Sequence, residues 1–206
     1  MCSHDPFRST DVAVLEGPLG IPVWRRRGQP RELLDLEADC EWLAAFYDAA
    51  AGLRDVPTDE LFAVHAGVSA WSAGQHLFHV CLANELALRN VRLIADGTSS
   101  FVVERPEVGL VGALVLPVGA MPRGLGTPPR AVTPPARSNP AIVWDTFDSN
   151  QSELRAVRDD LPRIARARGG VRHADLGVLG AGHWIRFAGI HGWHHLAIAE
   201  EILAAG

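Results

Sequence analysis

Three of the chain's nine histidines crowd into the stretch His191-Gly-Trp-His194-His195. On a helix, His191 and His195 stand one turn apart on one face. The rest of that face reads Trp184, Ala188, Ile198 and Ile202. Two imidazoles therefore interrupt an apolar stripe. Each carries a donor and an acceptor, so burying them unpaired would cost a few kcal/mol, roughly. Neutral imidazoles at this spacing suit one divalent metal such as Zn, Ni, Fe or Cu. His194 is turned about 100° from His195 and cannot point the same way. A third ligand has to come from another helix, and His76 and His79 are the candidates. His79 shares its face with Leu82, Ala83 and Leu86, while His76 shares one with Val80, Ala83 and Asn84. His79 is the favoured ligand, with His76 the alternative. The plainer reading makes all of these core histidines held by hydrogen bonds, without a metal. His-Gly-Trp-His-His lacks the Glu of the His-Glu-x-x-His protease motif. Three His ligands leave coordination positions open, the arrangement of a catalytic rather than a structural site. Glu85, about two turns beyond His79, could serve as a base; its plainer role is a solvated carboxylate. Trp71, Trp184 and Trp193 could roof the site or simply pack in the core.

Four long helices must position these groups. The first is expected from about Arg31 to Ala51, where Leu33, Leu34, Leu36, Leu43, Phe46 and Ala50 recur at three- and four-residue steps and Gly52 provides a stop. The second runs from about Ser72 to Ile94, with Ser72 and Gln75 as a capping box and Asp96-Gly97 as a closing turn. Residues 97–139 hold many of the prolines and cannot sustain a long helix. They are expected to form a long connection, with a short helix or strand within Val108–Val118. Connections of this length often lie over a functional site. The third helix starts at Asn139-Pro140 and runs to about Asp160. An Arg- and Gly-rich connection, Arg163 to Gly182, leads to the fourth, from about His183 to Ala204. No segment shows sustained period-two alternation. The expected architecture is all-α: a four-helix bundle over residues 31–206, with a long crossover between helices 2 and 3. Residues 1–30 read as an irregular lead-in, with Arg25-Arg26-Arg27 as a solvated surface patch.

Composition narrows the function. The chain has 206 residues and a net charge of −5, which argues against a nucleic-acid binder. It contains no lysine, which excludes a Schiff-base or P-loop lysine. Cys2, Cys40 and Cys81 form no CxxC pair and read as free thiols in a reducing compartment. No signal peptide and no span of ~20 apolar residues is visible. The expectation is a cytoplasmic protein that binds neither membrane nor nucleic acid.

Trp71-Ser72, His79 eight residues after the tryptophan, and the closing His191-x-x-His194-His195 together resemble the DinB/YfiT-like superfamily of metal-binding four-helix bundles. The resemblance runs from about residue 31 onward and is weak over 97–139. It implies a divalent ion, zinc or nickel, on His79, His191 and His195, and a homodimer. It also implies one of two chemistries on a small molecule: metal-dependent hydrolysis, or transfer involving a low-molecular-weight thiol. An ion held this way lowers the pKa of bound water from ~16 towards ~7, or stabilises a thiolate. The Arg-Gly-Gln that often follows the last ligand in that superfamily is replaced here by Leu196-Ala197-Ile198. The alternative function is a non-enzymatic, dimeric metal- or ligand-binding stress-response protein.

Overall fold

The computed structural model describes the backbone at residues 12–16, 22–26, 34–124 and 126–206, and side chains over the last two ranges. Its elements in chain order are β1 (Val12–Glu16), β2 (Pro22–Arg26), α1 (Leu36–Ala51), α2 (Thr58–Leu61), α3 (Ala73–Asp96), β3 (Glu107–Val108), α4 (Leu110–Val118), α5 (Pro140–Asp159), α6 (Leu161–Ile164), β4 (Val171–His173), β5 (Gly177–Leu179) and α7 (Ala181–Ala204). Four long helices form a ring in which α1 packs on α7, α7 on α3, α3 on α5 and α5 back on α1. This is the expected bundle, and the chain crosses from α3 to α5 through residues 97–139.

Local chemistry fixes the helix ends. Asp35 accepts hydrogen bonds from the backbone N–H of Glu37 and Ala38 and so starts α1. The helix therefore begins at Leu36 rather than Arg31, and Leu33 lies outside the described residues. Ser72 and Gln75 form the expected capping box at the start of α3, and Gly97 ends that helix in the left-handed region at φ 67°. Asn139 caps α5 through Ala141 N–H, with Pro140 in its first turn.

Strands appear where the sequence showed no alternation. β1 and β2 pair antiparallel, with Val14 opposite Trp24, inside the stretch expected to be irregular. The side chains of Arg25-Arg26-Arg27 and Cys2 lie outside the described ones. β3, β5 and β4 form a small antiparallel sheet in that order. It ties the start of the crossover to the connection before α7: Glu107 faces Val178, and Arg172 faces Val178 from the other side. Strands of two or three residues are too short to show a period in sequence.

The core gathers Phe46, Tyr47, Leu88, Val91, Phe147, Ile185, Ile190 and Ile202 between the four helices. Two features seat α7. At Gly189 and Gly192, α1 comes so close that an added Cβ would meet Trp42 at 2.6 Å and Phe46 at 2.9 Å. Arg186, fully buried, donates from Nε to both carboxylate oxygens of buried Asp39, at 2.9 and 3.2 Å, and from a terminal nitrogen to the Leu116 carbonyl at 3.3 Å. One guanidinium thus joins α1, α4 and α7. Burial pushes the Asp39 carboxyl up to about 6, although Arg186 draws it back down. Cys40 and Cys81 are free and buried, and burial pushes the Cys40 thiol up to about 12. Among the described residues, no helix is long and apolar enough to cross a membrane.

Candidate metal centre

α3 and α7 make the most extensive helix contact in the molecule. His79 of α3 and His191 and His195 of α7 meet across it. One nitrogen from each lies within 4.8 Å of those from the other two. The rings stand edge to face in a triangle with sides of 4.7, 4.6 and 4.6 Å between centroids.

Each ring is fixed by a different partner. His79 Nδ1–H donates to the carbonyl of Val132 at 2.7 Å. That bond places the proton on Nδ1 and leaves the Nε2 lone pair facing inward, 3.0 Å from His191 Nε2. His191 stacks on Phe187, four residues earlier, at 5.4 Å and 20°. His195 Nδ1 lies 2.8 Å from Nδ1 of His76. The indole of Trp71 covers both α3 rings, 5.4 Å from His76 and 5.2 Å from His79.

Burial keeps these rings neutral. It lowers His79, partly offset by the bond to Val132, and it lowers His191 and His195 far below the usual imidazole value. His76 is pushed down to about 3 and His194 to about 4, again first by burial. Neighbouring histidines lower His76, His191, His194 and His195 further, and the Arg123 guanidinium lowers His76 and His194. Among the described residues no carboxylate joins the cluster.

The donor set fits a divalent ion. Neutral imidazole is the ligating form, and it is the form that burial enforces. Nitrogens on one tetrahedral zinc stand roughly 3.3 Å apart, from bonds of about 2.0–2.1 Å. The 3.0 Å pair and the 4.8 Å limit bracket that spacing. The Nδ1 atoms of His191 and His194 are buried without a hydrogen-bond partner, so the cluster is not satisfied by protein groups alone.

The expected ligands are therefore brought together. His76 is excluded from the three-nitrogen group and stands directly behind His195. Glu85 is exposed and takes no part in the cluster. Leu86, read as inward-facing beside His79, is 39% exposed. Of the three tryptophans, Trp71 roofs the site. Trp184 packs against His173 and Phe187, and Trp193 packs on Trp42 and Phe46 and donates to the Trp42 carbonyl. His183 takes part in the start of α7, accepting from Gly180 N–H at 3.3 Å. Three groups outside the expected set also touch the histidines: Ser69 Oγ at His76 Nε2, the Phe187 ring at His191 and the Val132 carbonyl at His79. Phe187 was findable, because it stands one helical turn before His191. A backbone carbonyl carries no signal in residue types. The long crossover does lie on the site, through the short turn Arg130–Val132.

Three histidines converging from the second and last long helices of a helical bundle make a possible metal site. The sequence matches the DinB superfamily over residues 42–199, more than half of the chain, and the protein belongs to that superfamily. No curated protein and no solved structure matches the chain.

Proposed function

We propose that this protein binds a divalent metal, zinc or nickel, through His79, His191 and His195. The reading continues with a metal-dependent hydrolysis or a thiol-dependent transfer on a small molecule, in a homodimeric protein. The observation that carries it is the placing of three neutral, inward-facing imidazole nitrogens within 4.8 Å, drawn from two helices. Such an ion supplies Lewis acidity, which acidifies a bound water or thiol. The chain's own residues hold and shield the position. Val132 sets the tautomer of His79, Phe187 braces His191, and Trp71 covers the α3 side.

Metal analysis of purified protein tests the binding. One ion per chain is expected, falling to background in the His191→Ala/His195→Ala double variant; equal metal in both would refute the reading. Turnover of ester and thiol-transfer substrates, with and without chelator, tests the chemistry.

A second reading is a metal- or ligand-binding stress-response protein without catalysis. It is favoured by the lack, among the described residues, of a carboxylate beside the three histidines to serve as base. Tight metal binding with no chelator-sensitive turnover on any substrate supports this reading over the first.

A further inference from the structure

Behind His195 runs a second line of polar contacts, outside the three-nitrogen group itself. His76 lies three residues before His79 on α3, so both rings leave the same side of that helix. Its Nδ1 is 2.8 Å from His195 Nδ1, and its Nε2 is 2.8 Å from Ser69 Oγ. Ser69 precedes α3 in a turn whose backbone is tied to His65, and its hydroxyl oxygen also accepts from Trp71 N–H at 3.1 Å. His76 is 4% exposed, so water does not compete freely for these contacts.

We infer that Ser69 and His76 form a positioning relay that holds His195 in the one tautomer able to bind the metal. This rests on the proposed metal centre. Proton bookkeeping allows two orders along the line. In the first, His195 Nδ1–H donates to His76 Nδ1, and His76 Nε2–H donates to Ser69 Oγ. The hydroxyl oxygen then uses one lone pair for His76 and the other for Trp71 N–H, which fills its acceptor capacity. His195 Nε2 is left with its lone pair. In the second order, every proton points the other way: Ser69 donates to His76, His76 donates to His195, and His195 Nε2 carries hydrogen. Only the first order offers a ligand. Both orders are neutral, so switching between them needs rotation of the Ser69 hydroxyl and shifts of protons along the line, with no net charge taken up. The relay does for His195 what the Val132 carbonyl does for His79, using a side chain instead of the backbone. Partners of this kind typically change metal affinity by about 10–100-fold.

The experiment measures zinc affinity by chelator competition in the full chain, with four proteins compared: wild type, His76→Phe, His76→Asn and Ser69→Ala. Imidazole tautomers of the zinc-loaded protein are read by long-range proton–nitrogen NMR. Expected are a 10–100-fold affinity loss in His76→Phe, a smaller loss in Ser69→Ala, and recovery of most of the loss in His76→Asn, whose side-chain oxygen can accept from His195 Nδ1–H. Stoichiometry stays at one ion per chain. In the wild type, His195 carries its proton on Nδ1 and His76 on Nε2. Unchanged affinity in His76→Phe overturns the relay while leaving the metal centre intact. So does a zinc-bound His76 nitrogen in the spectrum, which would make His76 a ligand. If His76→Phe fails to fold, Ser69→Ala and the wild-type tautomers still decide. A wild type that binds no zinc removes the metal centre itself, and the relay with it.

Discussion

Replacing Gly189 or Gly192 with alanine sets two helix effects against each other. Alanine in a helix interior is favoured over glycine by roughly 0.5–1 kcal/mol, so propensity alone predicts stabilisation. Packing predicts the opposite. A Cβ on Gly189 would lie 2.6 and 2.8 Å from Trp42 ring carbons, and one on Gly192 would lie 2.9–3.0 Å from three carbons of Phe46. Neither ring has room to retreat. Trp42 is 7% exposed and stacked on Trp193, while Phe46 is 1% exposed and wedged against Tyr47 and Trp193. Overpacking costs about 1–3 kcal/mol, and contacts at or below 3.0 Å with buried rings belong in the upper part, about 2–3 kcal/mol, so packing wins by about 1–2 kcal/mol. For a chain of this size that lowers Tm by about 2–8 °C. Gly182→Ala is the internal control. Its added Cβ would meet only side-chain ends, Leu36 at 3.3 Å and Leu34 at 3.9 Å, so its Tm is expected to hold or rise. Calorimetry of metal-free protein measures all three. Because His191 and His195 ride on the same helix, Gly189→Ala and Gly192→Ala are also expected to weaken metal binding. A rise in Tm for either variant, matching Gly182→Ala, would refute the claim that these glycines set the distance between α1 and α7.

Two further predictions concern charge. In metal-free protein, stability is expected to fall as pH drops below 6.5. His76 and His194 resist protonation down to about 3 and about 4 when folded, whereas unfolded rings take up protons near 6.5. Each ring alone accounts for about 2 kcal/mol between pH 7 and pH 5, and the loss levels off only near its folded value. Urea unfolding at the two pH values checks this, and equal midpoints would contradict it. At the Asp39–Arg186 pair the two single truncations should be unequal. Asp39→Leu takes the carboxylate away from the buried Arg186 charge and is expected to cost about 3–5 kcal/mol. Arg186→Met leaves a carboxyl already raised to about 6, which escapes by protonating and costs less. Denaturant midpoints of the two variants measure the asymmetry, and equal losses would count against it.

How much of this was legible in the sequence follows from the range of each interaction. The four helices were readable because their signals are local: the Ser72–Gln75 box, the Asn139-Pro140 start and the Gly97 stop each act within a few residues. The pair His191 and His195 was readable for the same reason, since one helical turn joins them. His79 was favoured over His76 by the apolar face it belongs to, and it is His79 that lies in the three-nitrogen group, although Leu86 on that face is exposed. What could not be read is what the chain supplies from afar. Val132 reaches His79 across fifty-three positions through a carbonyl that every residue possesses. Arg186 finds Asp39 across one hundred and forty-seven, and nothing in either neighbourhood marks the pair.

The division of labour on α7 explains why the centre forms where it does. Gly189 and Gly192 point towards α1, and His191 and His195 lie on a face turned from them by roughly 110° at 100° per residue. The first pair removes side chains so that the helix can be pressed inward against Trp42 and Phe46. The second pair then meets α3 at a depth where imidazole stays neutral. Arg186, one turn before Ile190, locks the rotation of the helix about its axis through Asp39 and Leu116. The depth of α7 is thus set by the two glycines and its rotation by Arg186. None of these residues belongs to the three-histidine group, yet together they determine whether its three nitrogens converge.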